Sequence, residues 1–229
     1  MEHIDRSIQF YLPRERIQTA IDALNLYFRM YLGQYDAIDM LYKMNFNPSL
    51  IYDYDKEKAR DELFVQIRDV LFPDMKNKGF LASRGIYNEL NHPDCMDAYN
   101  LMCTIRSAYA WYRDPHATYP TVDYRPPTNK GSCPHAECVI KEENDTVYAV
   151  VTMCKEQFKI LSDAAQVYLK VLTSDIGKAV AYFTTDSEML RLAEKAEYYY
   201  PGNLSGEILS EAERFLVDID ETEDRYKIC

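Results

Sequence analysis

Ile8-Gln9-Phe10-Tyr11-Leu12, followed by Asp22-Ala23-Leu24-Asn25-Leu26-Tyr27-Phe28-Arg29-Met30, has a second copy in the same chain. Ala149-Val150-Val151-Thr152-Met153 and Asp163-Ala164-Ala165-Gln166-Val167-Tyr168-Leu169-Lys170-Val171 match it without a gap at an offset of 141 residues. In each copy a short apolar run leads into a stretch with helical spacing. Asp, Ala and Tyr are identical, and the other positions keep their chemical type. A repeated strand-to-helix unit implies a chain built from two related halves. The expected fold is α+β and mostly helical: two diverged strand-helix units pair their strands in one small sheet, with the helices packed around it.

The remaining elements follow from periodicity and punctuation. Pro13 suits the first turn of a helix, where its missing N–H removes no bond. Ile17, Ala20, Ile21, Leu24 and Phe28 trace one face of that helix, which Gly33 ends. Ala37, Ile38 and Leu41 suggest a second short helix, and 45–54 a connection. Apolar residues from Leu63 to Leu71 give a helix over 55–72 that stops at Pro73. Asp94 reads as the cap of a helix running through Trp111. The stretch 114–134 holds five prolines and no sustained period. A hairpin turns around Glu142-Glu143-Asn144-Asp145 between strands at 136–141 and 146–153, and a helix follows over 155–172. Two further helices, near 187–199 and 207–217, flank the Pro201-Gly202-Asn203 break, and the acidic stretch 218–224 is expected to fray. The halves are therefore 1–114 and 136–229, joined by a proline-rich linker or arm over 115–135.

Charge and composition narrow the function. Lys and Arg number 26 against 37 Asp and Glu, a net charge of −11, which opposes wrapping a phosphate backbone. No direct nucleic-acid binding is expected. The same charge suits a basic partner, such as the groove of a protein that itself handles nucleic acid. Met1-Glu2-His3-Ile4-Asp5 lacks the features of a signal peptide, and no apolar run approaches a membrane span, so the expected location is the cytoplasm. The six cysteines are then expected as thiols. Tyrosine is the outlier, at 20 residues; its ring with a polar tip suits core margins as well as interfaces.

Few constellations carry chemistry. There is no Gly-x-Ser-x-Gly elbow, Walker loop or dinucleotide fingerprint, and no cofactor is expected. Cys133, His135 and Cys138, joined by His92 and Cys95, would offer soft ligands to zinc; only His135-x-x-Cys138 and His92-x-x-Cys95 have the usual pair spacing. The alternative is a loop and a strand edge with incidental thiols. His135-Ala136-Glu137 also matches half of the zinc deaminase signature, without its Pro-Cys-x-x-Cys. The remaining cluster is Tyr27-x-Arg29-x-x-x-Gly33-Gln34-Tyr35, where Arg offers a fork for phosphate, Gln can read a base edge and the tyrosines can stack. The second copy replaces Gly33-Gln34 with Ser174-Asp175. Features shared by both copies point to fold, and features of one copy to a site.

The motif Tyr27-x-Arg29-x-x-x-Gly33-Gln34-Tyr35, with Arg84-Gly85-Ile86, Asp94-x-x-x-Ala98-Tyr99, Ile105-Arg106 and Trp111, resembles a set of small uncharacterised proteins encoded by bacteriophages and prophages. The resemblance covers roughly residues 8–112, and the second half departs from it as an added copy. It implies a viral accessory protein in the bacterial cytoplasm, of the kind that blocks host immunity. Three readings follow in order. The first is a non-enzymatic inhibitor that binds a bacterial defence protein. The second is a sponge for a nucleotide immune signal, with Arg29, Arg84 and Arg106 as phosphate contacts. The third is a zinc-dependent enzyme. The candidate binding residues are Tyr27, Arg29, Gln34, Tyr35, Arg84 and Arg106.

Overall fold

A computed structural model describes residues 7–45, 54–118, 121–198 and 206–226. The connection read at 45–54 lies mostly outside these residues, and the Pro201-Gly202-Asn203 break lies wholly outside them. The fold is α+β and mostly helical, with one three-stranded antiparallel sheet. The first half runs β1 (Ile8–Pro13), α1 (Arg14–Tyr31), α2 (Asp36–Asn45), α3 (Tyr54–Leu71) and α4 (Pro93–Arg113). The second runs β3 (Thr146–Met153), α5 (Lys155–Leu172), α6 (Ile176–Val180), α7 (Ser187–Glu197) and α8 (Gly206–Tyr226). Among the described residues each half is thus a strand followed by four α-helices, and β2 (Glu137–Glu143) is an addition placed before the second copy.

The sheet has the order β1-β3-β2. Ile8 pairs with Met153 and Leu12 with Ala149, so the middle pair, Phe10 with Val151, joins a residue to its own counterpart in the repeat. Antiparallel pairing centred on equivalent residues is the signature of a local twofold axis, the arrangement an isologous dimer would use. Alternation sets the faces: Ile8, Phe10 and Leu12 are buried, while Gln9 and Tyr11 are exposed. The β2–β3 hairpin turns on Asn144 and Asp145, both at positive φ (50° and 62°), as a two-residue turn matched to strand twist requires.

The chain divides into two compact units that do not follow the sequence halves. One takes Met1–Phe28, His92–Ala165 and Glu211–Cys229; the other takes Arg29–Asn91 and Gln166–Ser210. In the first, Phe10 meets Phe158 of α5 edge-on at 5.8 Å and Phe215 of α8 at 6.1 Å. The proline-rich stretch belongs to this unit and is tied to α4. Asn100 accepts from the Thr128 N–H and donates to the Lys130 carbonyl, and Asp97 accepts from the Ser132 and Cys133 N–H groups. In the second unit, α7 packs against α3 and α6.

The repeat extends further in backbone than in side chains. At the end of α1, the Gly33 N–H donates to the Met30 carbonyl and the Gln34 N–H to Arg29; at the end of α5, Ser174 donates to Val171 and Asp175 to Lys170. These are two Schellman caps at the same offset, with Gly33 and Ser174 both left-handed (φ 75° and 63°). The Gly33-Gln34 versus Ser174-Asp175 contrast is therefore a change of side chains on one shared mode of helix termination. A Cβ on Gly33 would also stand 3.0 Å from Arg68 Cγ and 3.1 Å from Phe72 Cδ2. Ser174 carries the left-handed strain that Gly33 avoids. Ser174→Gly is expected to raise stability by about 0.5–1 kcal/mol in denaturant melts, and a loss of that size would refute the strain.

Two boundaries differ from the sequence reading for physical reasons. The cap of α4 is His92, whose Nδ1 accepts from the Asp94 N–H, with Pro93 in the first turn. The acidic stretch 218–224 does not fray; it continues α8, because Phe215, Ile219 and Thr222 form a buried stripe through it. Asp218 accepts from Arg16 at 2.6 Å, and the Tyr226 hydroxyl accepts from the Gln9 N–H.

Candidate ligand cavity

The six candidate residues are distributed over both compact units, and most have structural work. Tyr27 is buried in α1 at 2 % exposure. Tyr35 is likewise buried, and its ring stacks on Phe64 at 5.8 Å with the planes 5° apart. Neither ring is open to a ligand. Arg29 lies half-buried in the last turn of α1, and Gln34 donates to Ser83 Oγ at 2.8 Å. Arg84 is buried, forks onto both carboxylate oxygens of Asp74, donates to the Leu90 carbonyl and lies over the Phe72 ring. Its hydrogen bonds hold the Asp74 carboxyl below the usual range. Arg84 is therefore a strut for the segment from 74 to 90.

The Tyr35 hydroxyl is buried without a hydrogen-bond partner, and burial pushes its pKa up. An unpaired buried hydroxyl costs stability, so Tyr35→Phe is expected to leave the protein as stable or about 1 kcal/mol more so. A loss of more than that in urea melts would mean that the hydroxyl does have a partner.

Arg106 lines a cavity. In the first unit, a cavity of about 570 Å³ opens between α1, α4 and the 3-10 turn Val122–Tyr124. Gln18, Asp22 and Asn25 line it from α1; Arg106, Tyr109 and Arg113 line it from α4, and Asp123 and Tyr124 close the far side. Helical spacing explains both walls, since 18, 22 and 25, like 106, 109 and 113, each fall on one face. Arg106 donates to the Val122 carbonyl at 3.2 Å and sits 3.8 Å from Asp123, while its Nε has no hydrogen bond. Arg113 forms no ion pair among the described residues; its guanidinium lies 5.7 Å from the centre of the Tyr109 ring. Tyr124 is held edge-on by Trp111 at 4.8 Å. Asp22 accepts from Gln18 at 2.9 Å, and burial raises its pKa despite that bond.

Sequence reasoning missed Asp22, Tyr109 and Arg113. The stripe Arg106-x-x-Tyr109-x-x-x-Arg113 was visible as a spacing, but only the packing of α4 on α1 gives it an opposite wall. The shared frame also splits. Ala23 and Ala164 are fully buried and Tyr27 and Tyr168 nearly so, as fold residues should be. Asp22 and Asp163 instead each line a cavity, and burial raises both. The second cavity, about 490 Å³, lies in the same unit between α5, the start of α4 and Ser132-Cys133-Pro134.

The zinc ligands do not come together. His92 caps α4, Cys95 is buried with its thiol donating to the Phe28 carbonyl, and no three His, Cys, Asp or Glu converge as a metal site among the described residues. Among the described residues no helix is long and apolar enough to cross a membrane. No family model, curated protein or solved structure matches the chain.

Proposed function

We propose that the chain is a phage-type accessory protein of the bacterial cytoplasm that acts by capture, and that it sequesters a nucleotide signal of host defence. The observation that carries this reading is the cavity holding Arg113, a cation without an ion-pair partner among the described residues of a chain with net charge −11. Beside it stand Arg106, two tyrosine rings and the carboxylates of Asp22, Asp114 and Asp123. Guanidinium groups suit phosphate, tyrosine faces suit a base, and a carboxylate accepts from a base's N–H groups. The volume falls in the range of small-molecule sites, roughly 300–1,000 Å³. Arg106 keeps the phosphate role expected from the sequence; Arg84, spent on Asp74, passes that role to Arg113.

Thermal melts against a panel of cyclic and linear nucleotides test the reading, because a ligand bound only by the folded state raises the melting temperature. Arg113→Ala is expected to weaken the responding nucleotide tenfold or more, at about 1.5–3 kcal/mol for a charged hydrogen bond, and to leave the ligand-free melt unchanged. A flat response across the panel refutes it. A second reading, direct inhibition of a defence protein, is favoured by the acidic charge and by the exposed rings of Tyr11, Trp111 and Tyr112. It gains ground if the panel is flat and a defence protein is recovered from host lysate.

A further inference from the structure

We propose that the outer edge of β1 is a docking site for an extended basic segment of a partner protein, which adds to the sheet as a fourth strand. The internal twofold shows where it fits. β3 pairs with β1 on one side and with β2 on the other, whereas no strand among the described residues pairs with the outer edge of β1. The twofold relates these two outer edges, so the counterpart of the place that β2 takes beside β3 is open beside β1. Gln9 turns its N–H away from β3, since that group donates to the Tyr226 hydroxyl at 3.2 Å. Alternation then turns the N–H and carbonyl of Tyr11 outward as well, while Ile8, Phe10 and Leu12 bond to β3. Pro13 ends the row, with no N–H to offer.

β2 is the template for the occupant. Its Cys138, Val139 and Ile140 stand opposite Val151, Val150 and Ala149 of β3, which correspond in the repeat to Phe10, Gln9 and Ile8. Carried across the twofold, an antiparallel strand on β1 sets residues in the manner of Cys138 and Ile140 opposite Phe10 and Ile8. Both are half-buried in β2, so small or medium apolar side chains fit there. The residue between them, opposite Gln9, is in the manner of the exposed Val139 and suits a polar or charged side chain. The occupant therefore alternates apolar with polar residues.

Charge chooses between occupants. Ile8–Pro13 has no charged side chain, the usual guard of an edge strand, whereas β2 at the other edge carries Glu137, Lys141, Glu142 and Glu143. What guards β1 is the Tyr226 hydroxyl, a single neutral hydrogen bond from the end of α8. That end is acidic. Asp220, Glu221 and Asp224 are exposed within two turns of Tyr226, with Arg225 as the cation among them. Arg14 and Glu15, exposed just after the strand, offset each other. Lys or Arg at the polar positions of an added strand meets opposite charge there, while a second copy would bring another net −11 and the same acidic helix end. Main-chain bonds to Gln9 and Tyr11 supply affinity, and the alternating side chains supply specificity.

The test titrates the full chain into a short, end-capped, fluorescent peptide that alternates lysine with valine, and reads anisotropy. Saturable binding is expected. Methylating the peptide nitrogens that would pair with β1 removes main-chain donors and is expected to weaken binding about tenfold or more. Tyr11→Pro removes the matching N–H from the strand and is expected to weaken it as much; should that variant not fold, the methylated peptide tests the same bonds in the unaltered chain. Changing Asp220, Glu221 and Asp224 together to Lys is expected to lower affinity and to flatten its fall with added salt. Three outcomes overturn the proposal: no binding, equal binding of the methylated peptide, or equal binding of a peptide with glutamate in place of lysine. A dimer in sedimentation velocity that Tyr11→Pro abolishes would assign the edge to a second copy and overturn it too.

Discussion

Arg68→Ala is expected to lower stability by about 3–5 kcal/mol, the range for breaking a buried charge network by removing one partner. Arg68 is 1 % exposed in α3 and donates to the Lys78 and Gly79 carbonyls at 2.6 Å each and to Asp69 at 2.8 Å. Those carbonyls belong to a segment without regular structure, so the guanidinium supplies bonds that a helix or sheet would otherwise provide. Removing it leaves a carboxylate and two carbonyls short of partners, and opens the space beside Gly33. Arg68→Lys keeps the charge but lacks the fork, and is expected to recover less than half of the loss. Urea melts of both variants check this, and a loss below about 1 kcal/mol for Arg68→Ala would contradict the role given to the side chain.

Phe10→Ala is expected to cost a similar 3–5 kcal/mol, through the transfer of a ring and the cavity it leaves. Phe10 is fully buried at the centre of β1, wedged between Phe158 and Phe215. Its neighbour Tyr11 is 48 % exposed on the other face, and Tyr11→Ala is expected to cost less than about 1 kcal/mol. Thermal melts of the pair read the sheet directly. Equal losses at the two positions would mean that β1 does not present the face described above.

Much of this fold is legible in the chain. The repeat, the alternating strands and the Asn144-Asp145 turn are short-range signals, and the register of β1 on β3 follows once equivalent strands are paired across an axis. The acidic end of α8 was hidden because Asp and Glu dilute its stripe, leaving only Phe215, Ile219 and Thr222 to mark the buried side. The left-handed cap at Ser174 was hidden because backbone conformation is shared with Gly33 while the side chain is not.

The site was less legible, and the reason lies in burial. Tyr27 and Tyr35 have the chemistry of a stacking pair, yet whether a ring faces solvent depends on which helix covers it. Arg84 has the chemistry of a phosphate contact, yet Asp74, ten residues earlier, occupies its fork. Arg113 is a charge in the last turn of a helix, and it lines a cavity only because α1 lies alongside α4. A cavity is a relation between elements, and spacing along one element carries half of it.

The pairing of Phe10 with Val151 also sets a timetable. The β2–β3 hairpin joins neighbours in sequence and can form within microseconds. β1 must wait for a partner that lies some 140 residues downstream. During synthesis at about 5–20 residues per second, that is a delay of roughly 7–28 seconds in which the first strand is made but unpaired. The helices of the first half can form in that interval, since their bonds are local. β1 therefore closes onto the sheet only after the helices of the first half have been made, while α5 to α8 are still to follow.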